Sequence, residues 1–166
     1  MGYNRSSQYR PQGPRQGDRR DAPEFQPPSD ELMDKIIIKG DVDALVELAN
    51  DIGKVLKEQN LTTSQMRNVF GTVRQIQMRW SADEVNSYRD AMLLRPKLAY
   101  FAAREKRAKG SSSDGMETLQ KVLEPALKLI NKGNASPEEK QKRYNHFVDL
   151  FEAIVAYHKK HGGRNN

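Results

Sequence analysis

The sequence predicts an all-α protein, a compact bundle of five to seven helices behind a disordered N-terminal tail. Three observations carry this prediction. From residue 29 onward the apolar residues recur at three- and four-residue steps, and no stretch alternates with the period of two that a half-buried strand needs. Ser, Thr and Asp stand where these patterns begin, and Gly, Asn or Pro where they end. Residues 1–28 are instead rich in Arg, Gln, Gly and Pro, with almost no aliphatic side chain to offset the entropy of ordering. The chain thus divides into a tail, 1–28, and a helical domain, 29–163.

Ser29 or Asp30 caps a short helix over about 31–38, stopped by Gly40. Asp41 caps a second over about 42–58, whose apolar stripe is Val42, Leu45, Val46, Leu48, Ala49, Ile52, Val55 and Leu56, with Asn60 as a left-handed stop. The third has the clearest start. Thr62 and Gln65 form a capping box, Leu61 and Met66 occupy the staple positions, and Met66, Val69, Phe70, Val73, Ile76 and Trp80 line its core face.

A second capping box, Ser81 with Glu84 and the staple Trp80 with Val85, opens the fourth helix, which runs to about Leu94. Pro96 then either starts a new helix or kinks a long one that continues to Arg107. After a flexible loop at 109–115, a fifth helix spans about 116–131, with Leu119, Val122, Leu123, Leu127 and Ile130 inward and Pro125 bending it. Ser136 and Pro137 open the last, about 137–160. Its stripe is Tyr144, Phe147, Val148, Phe151, Ile154, Val155 and His158, and Gly162 and Gly163 lead into a ragged terminus.

Charge is concentrated. The 166 residues carry a net +6, and residues 62–109 alone hold ten cations against four acids, also +6. Such a field favours a polyanion, although a solvated basic surface has the same composition. There is no cysteine, which excludes disulfides and thiolate zinc sites. No apolar run is long enough to span a membrane, and no signal-peptide core opens the chain, so a cytoplasmic setting is expected.

Two basic clusters stand out. Arg67 and Arg74 lie seven residues apart on one stripe of the third helix, about 10.5 Å along its axis. No acid sits three or four residues from either. Gly71 between them suggests a close backbone approach, by RNA or by a neighbouring helix. The second cluster is Arg95, Lys97, Arg104, Lys106 and Arg107, interleaved with Tyr100 and Phe101. Aromatic side chains among cations suit stacking on bases. Phe101 also fits a buried stripe with Leu98 and Ala102, and Tyr100 the edge of that stripe. In the tail, Tyr3, Tyr9 and five arginines fit an RNA-binding extension or an inert solubilising one.

No catalytic constellation emerges and no cofactor is expected. His146 and His158 are twelve residues apart on one helix and cannot share a ligand, and His158 reads as a core-edge residue. There is no inward Glu-x-x-His pair and no glycine-rich phosphate loop.

Three segments, LTTSQMRNVFGTVRQIQ (61–77), LLRPKLAYFAAR (93–104) and LFEAIVAYHKKHGG (150–163), resemble the small subunit of the type III-A CRISPR (Csm) effector complex. The resemblance covers most of residues 29–163; the tail does not fit the family pattern. It implies a helical bundle without its own active site, stacked in several copies as a short filament along the crRNA–target RNA duplex. Its partners would be crRNA, target RNA, the large Cas subunit and the repeat-type backbone subunits, in antiviral defence. Arg67, Arg74, Arg95, Lys97 and Arg104 fall in the matching segments and are the RNA-contact candidates, with Arg107 one turn beyond. Two other readings remain: a structural spacer that docks other Cas subunits without touching RNA, and a nucleic-acid chaperone that binds through its tail.

Overall fold

The computed structural model describes residues 25–109 and 114–165. They form six α-helices and no strand. Nearly all of the expected disordered tail, and residues 110–113 of the expected loop, lie outside the described residues. Residues 25–29 lead irregularly into the first helix, and Phe25 already packs against the core.

Helix α1 (Asp30–Met33) is capped by Ser29, whose hydroxyl accepts from the Leu32 N–H at 3.2 Å. It passes directly into one π-helical turn, Asp34–Ile38, which the periodicity did not reveal. The wider turn buries both Ile36 and Ile37. The imidazole of His146 donates from Nδ1 to the Ile37 carbonyl at 2.8 Å, tying the turn to the last helix.

Helix α2 (Val42–Glu58) begins at Asp41, which accepts from the Ala44 N–H at 3.0 Å. Leu45, Leu48, Ala49, Ile52 and Leu56 are buried. Val42 and Val46, expected on the same stripe, are exposed. Val46 lies about 100° round the helix from Leu45, and Val42 sits in the open first turn. The side of α2 facing the last helix contains Gly53, where a Cβ would come within 2.7 Å of the His158 backbone nitrogen. The close approach of a neighbouring helix, one of the two readings of Gly71, occurs at Gly53 instead. At Gly71 an added Cβ would meet nothing within 4 Å, so no neighbouring helix accounts for that glycine.

Helix α3 (Thr63–Arg79) has the complete capping box. The Gln65 N–H donates to the Thr62 hydroxyl at 3.2 Å, and the Thr62 N–H to Gln65 Oε1 at 2.9 Å. Its expected core face is inward, with Phe70 half-buried edge-on to Phe151. Trp80 stacks on Tyr144 at 4.5 Å, and the Tyr144 hydroxyl donates to the Val73 carbonyl at 3.0 Å.

The second capping box does not form. The N–H groups of Ala82 and Asp83 both donate to the Arg79 carbonyl, and this turn carries the chain further before a helix can start. Asp83 is the residue that caps, accepting from the Asn86 N–H at 3.2 Å, while the Ser81 hydroxyl accepts from Gln141 at 2.9 Å. Val85, placed in a staple by the sequence, is 74% exposed. Helix α4 (Glu84–Lys109) then runs unbroken through Pro96. The missing proline N–H leaves the Met92 carbonyl without its helical partner. Burial of Leu94, Leu98 and Ala102 on one face holds the helix together across that gap.

Helix α5 (Gly115–Leu129) buries all its expected apolar positions and packs along α4. Helix α6 (Pro137–Lys160) starts from the Ser136–Glu139 capping box and is the hub of the bundle. It lies against α2, α3, α4 and α5, and Tyr144, Phe147, Val148, Leu150, Phe151 and Ile154 are wholly buried on it.

Two expectations at the C-terminus are corrected. His158 is not at the core edge but fully buried, and donates from Nε2 to the Leu61 carbonyl at 2.7 Å. Residues beyond Gly162 are not ragged as far as Asn165. Gly163 packs on the His158 ring, and the Arg164 carbonyl accepts from the Thr63 N–H at 2.8 Å, satisfying an otherwise free donor at the start of α3.

Candidate nucleic-acid interface

Helices α3 and α4 carry all six basic candidates, and the fold distributes them over three different surfaces. The cause is the 100° step between successive residues of a helix. Arg95 and Lys97 flank Pro96 in sequence but point about 200° apart.

Arg95 faces α5. Its guanidinium meets Glu124 at 3.3 Å, and Lys106, three turns further along, meets Glu117 at 3.3 Å. Each glutamate holds a second cation on its own helix, Lys128 for Glu124 and Lys121 for Glu117. Hydrogen bonding to Lys121 chiefly holds the Glu117 carboxyl below the usual range. For Glu124, burial works against ionisation, but bonds from Lys128, Gln120 and Arg95 outweigh it and bring its pKa down too. Both glutamates are therefore ionised at neutral pH, and each α4 cation on the seam with α5 meets a carboxylate.

Lys97 and Arg104 point the other way, toward α3. They border two adjoining clefts between the helices. The first is lined by Asn68, Thr72, Lys97 and Tyr100 over a floor of Val69, Leu94 and Leu98. The second is lined by Gln65, Asn68, Arg104 and the acid Glu105 of α4. Neither Lys97 nor Arg104 has a carboxylate partner among the described residues. Arg104 lies 5.7 Å from the centroid of the Phe101 ring, a cation–π contact that leaves its N–H groups available. Phe101 is half-buried against the core, as one of its two readings required. Tyr100 touches the edge of the stripe, its ring tilted against Phe101 at 5.9 Å, but is 62% exposed. Arg107 is exposed one turn beyond Arg104.

Arg67 and Arg74 form the third surface. They are exposed on α3, on the side away from the groove, since Gln65, Asn68 and Thr72 are the α3 residues that line the clefts. Arg67 has no partner among the described residues. Arg74 donates to Gln77 at 2.6 Å and stands near Asp149 of α6. Burial raises the Asp149 pKa, and the field of His146 and, more weakly, of Arg74 pulls it back, against the push of Glu152.

All 17 residues of α3 are free of Asp and Glu. The two clefts therefore have a helix without acids along one wall. Sequence reasoning missed Asn68 and Thr72 as groove residues. The signal was present: Gln65, Asn68 and Thr72 recur at helical spacing beside the core positions Val69 and Ile76. Among the described residues, no three His, Asp or Glu side chains gather as a metal would require, and no helix is long and apolar enough to cross a membrane.

A family model described as Csm2 Type III-A matches residues 39–164, more than half of the chain. No curated protein and no solved structure gives a match.

Proposed function

Because the chain belongs to the Csm2 Type III-A family, the small subunits of type III-A CRISPR effector complexes, we propose that it is a non-catalytic RNA-binding subunit. It would hold the target strand and the crRNA–target duplex by their phosphates, in antiviral defence within the cytoplasm. Guide pairing would supply the sequence specificity, and this chain would read charge and shape. The observation that carries the reading is the exposed cation set around the acid-free helix α3: Arg67 on α3 itself, and Lys97, Arg104 and Arg107 on α4. Arg74 joins it with a neutral hydrogen-bond partner, Gln77, although the Asp149 carboxyl stands near it. Arg95 has a carboxylate partner and lies on the α5 flank, so it has no place on this surface.

Within the complex, several copies would stack as a short filament, flanked by the large Cas subunit and the repeat-type backbone subunits. Stacking multiplies weak single-copy contacts through effective concentration along one strand. Cations on both sides of α3 suit a strand that crosses the helix rather than one confined to a single cleft.

The second reading is a structural spacer, favoured by the exposed apolar side chains Met78 and Val85, which suit protein contact. The test is target-RNA retention by the assembled complex carrying Arg67→Glu with Arg74→Glu. The RNA-binding reading expects retention to fall while the helical signal and complex assembly are preserved. Wild-type retention with no RNA cross-links to this chain would establish the spacer instead.

A further inference from the structure

We propose that the α3–α4 groove takes an unpaired nucleobase of the bound RNA, stacked on Tyr100, with Lys97 and Arg104 on the phosphates either side of it. This rests on the RNA-binding reading above and deepens it, because backbone binding alone needs no pocket. The cleft measures about 280 Å³ and is open to solvent. Its floor, Val69, Leu94 and Leu98, is aliphatic, which suits the edge of a flat ring and offers nothing to a phosphate. One wall is Tyr100, a large aromatic side chain that is 62% exposed and meets the Phe101 ring only at a tilt. The opposite wall carries the Asn68 amide and the Thr72 hydroxyl, neither with a side-chain hydrogen bond among the described residues. Such groups reach the polar edge of a base.

Charge selects the occupant. Lys97 lines this cleft and Arg104 the adjoining one, three to four residues to either side of Tyr100 along α4. No carboxylate lines the cleft that holds Tyr100. An aliphatic protein segment would fill the floor but leave both cations unanswered, whereas a nucleotide answers both with its own phosphates. A paired base cannot enter, because its faces are already stacked and its polar edge is taken by its partner. The groove therefore distinguishes a single-stranded or displaced nucleotide from a continuous duplex.

The experiment measures binding of the full-length chain to two single-stranded RNAs of equal length and charge, one normal and one with abasic sugars throughout. The normal strand is expected to bind about ten-fold more tightly, the equivalent of one stacked base. Tyr100→Ala should bring it down to the abasic level, and Tyr100→Phe should restore it. Because Tyr100 is exposed, neither variant threatens the fold. Equal binding of the two RNAs, unaffected by Tyr100→Ala, overturns the base pocket but leaves the phosphate reading intact. Binding of neither RNA overturns both. In the assembled complex, a photo-crosslinking amino acid in place of Tyr100 should couple to RNA. Coupling to protein alone would assign the groove to a neighbouring subunit and end the proposal.

Discussion

The two flanks of α4 carry cations of the same kind on the same helix, yet they are different surfaces. On the α5 flank, Arg95 and Lys106 are met at 3.3 Å by Glu124 and Glu117, themselves seven residues apart on the facing helix. On the α3 flank, Lys97 and Arg104 face Gln65, Asn68 and Thr72, on a helix with no acid in its 17 residues. The distinction is made by what α5 and α3 present, not by α4. A count of basic residues along one helix therefore does not identify an interface; the complement offered by each neighbouring helix does.

The largest effect is expected from destroying the open flank. Lys97→Glu with Arg104→Glu removes two attractive charges and adds two repulsive ones. RNA affinity of the assembled complex should drop by about a hundred-fold at low salt, and the salt slope should flatten by roughly 0.7 for each phosphate that is no longer neutralised. Both residues are exposed, so the thermal midpoint should shift by the equivalent of less than about 1 kcal/mol. An affinity within two-fold of wild type would show that the open flank is not an RNA surface.

A smaller effect should follow from making the open flank resemble the closed one. Thr72→Glu places a carboxylate on α3 beside Lys97, in the position that Glu124 holds toward Arg95. RNA binding should weaken by about ten-fold with helicity unchanged. The converse change, Glu117→Gln with Glu124→Gln, frees Arg95 and Lys106. If an unanswered cation is what matters, the salt slope should steepen by up to roughly 0.7 for each. The same pair has a pH signature. Both carboxyls titrate below their usual value of 4.5 in the folded chain, so they stabilise it above that pH, and the contribution disappears as pH falls through their folded values. Acid unfolding monitored by circular dichroism should lose this component in the double glutamine variant.

His158 provides a second pH effect of opposite origin. Burial pushes its pKa below the usual 6.5, and its hydrogen bond to Leu61 only partly offsets that. The folded state therefore prefers the neutral ring. Stability should be greatest above about pH 6.5 and decline as acid protonates the unfolded chain first. The thermal midpoint should fall between about pH 7 and pH 5, and less steeply in His158→Gln. A midpoint indifferent to that pH range in the native chain would contradict the buried neutral ring.

The helices were legible because burial has a period: the α3 capping box, the α5 stripe and the α6 stripe stand where the spacing put them. Local rules misled at the turn after Trp80. There the Ser81–Glu84 spacing fits a capping box, but the Ala82 and Asp83 N–H groups turn back to the Arg79 carbonyl, and the helix starts two residues later with Asp83 as its cap. The π turn at Asp34–Ile38 left no trace in the periodicity, since one inserted residue is indistinguishable from a ragged stripe. The basic residues were identified by type but not by partner. Glu124 is 29 residues from Arg95, and only the packing of α5 on α4 brings them together. Tertiary packing puts the close approach of a neighbouring helix at Gly53 and open space at Gly71, because a sequence shows which glycines are helical but not which face they occupy.

The smallest expected effect is also the sharpest comparison, because it contrasts residues two apart in sequence. Arg95→Gln removes one cation from the closed flank, and Lys97→Gln one from the open flank, with Pro96 between them. If charge density alone drives binding, the two should weaken RNA equally, since a strand within a few ångströms senses both. If the facing helix decides, Lys97→Gln should cost about three- to ten-fold in affinity and Arg95→Gln less than two-fold. Arg95→Gln should instead lower stability by less than about 1 kcal/mol, because its partner Glu124 keeps Lys128. An equal loss of RNA binding in both would mean that Glu124 does not cancel Arg95 in the assembled particle. The ion pair on α5 would then have to open when RNA arrives, and the two flanks of α4 would form one continuous binding surface.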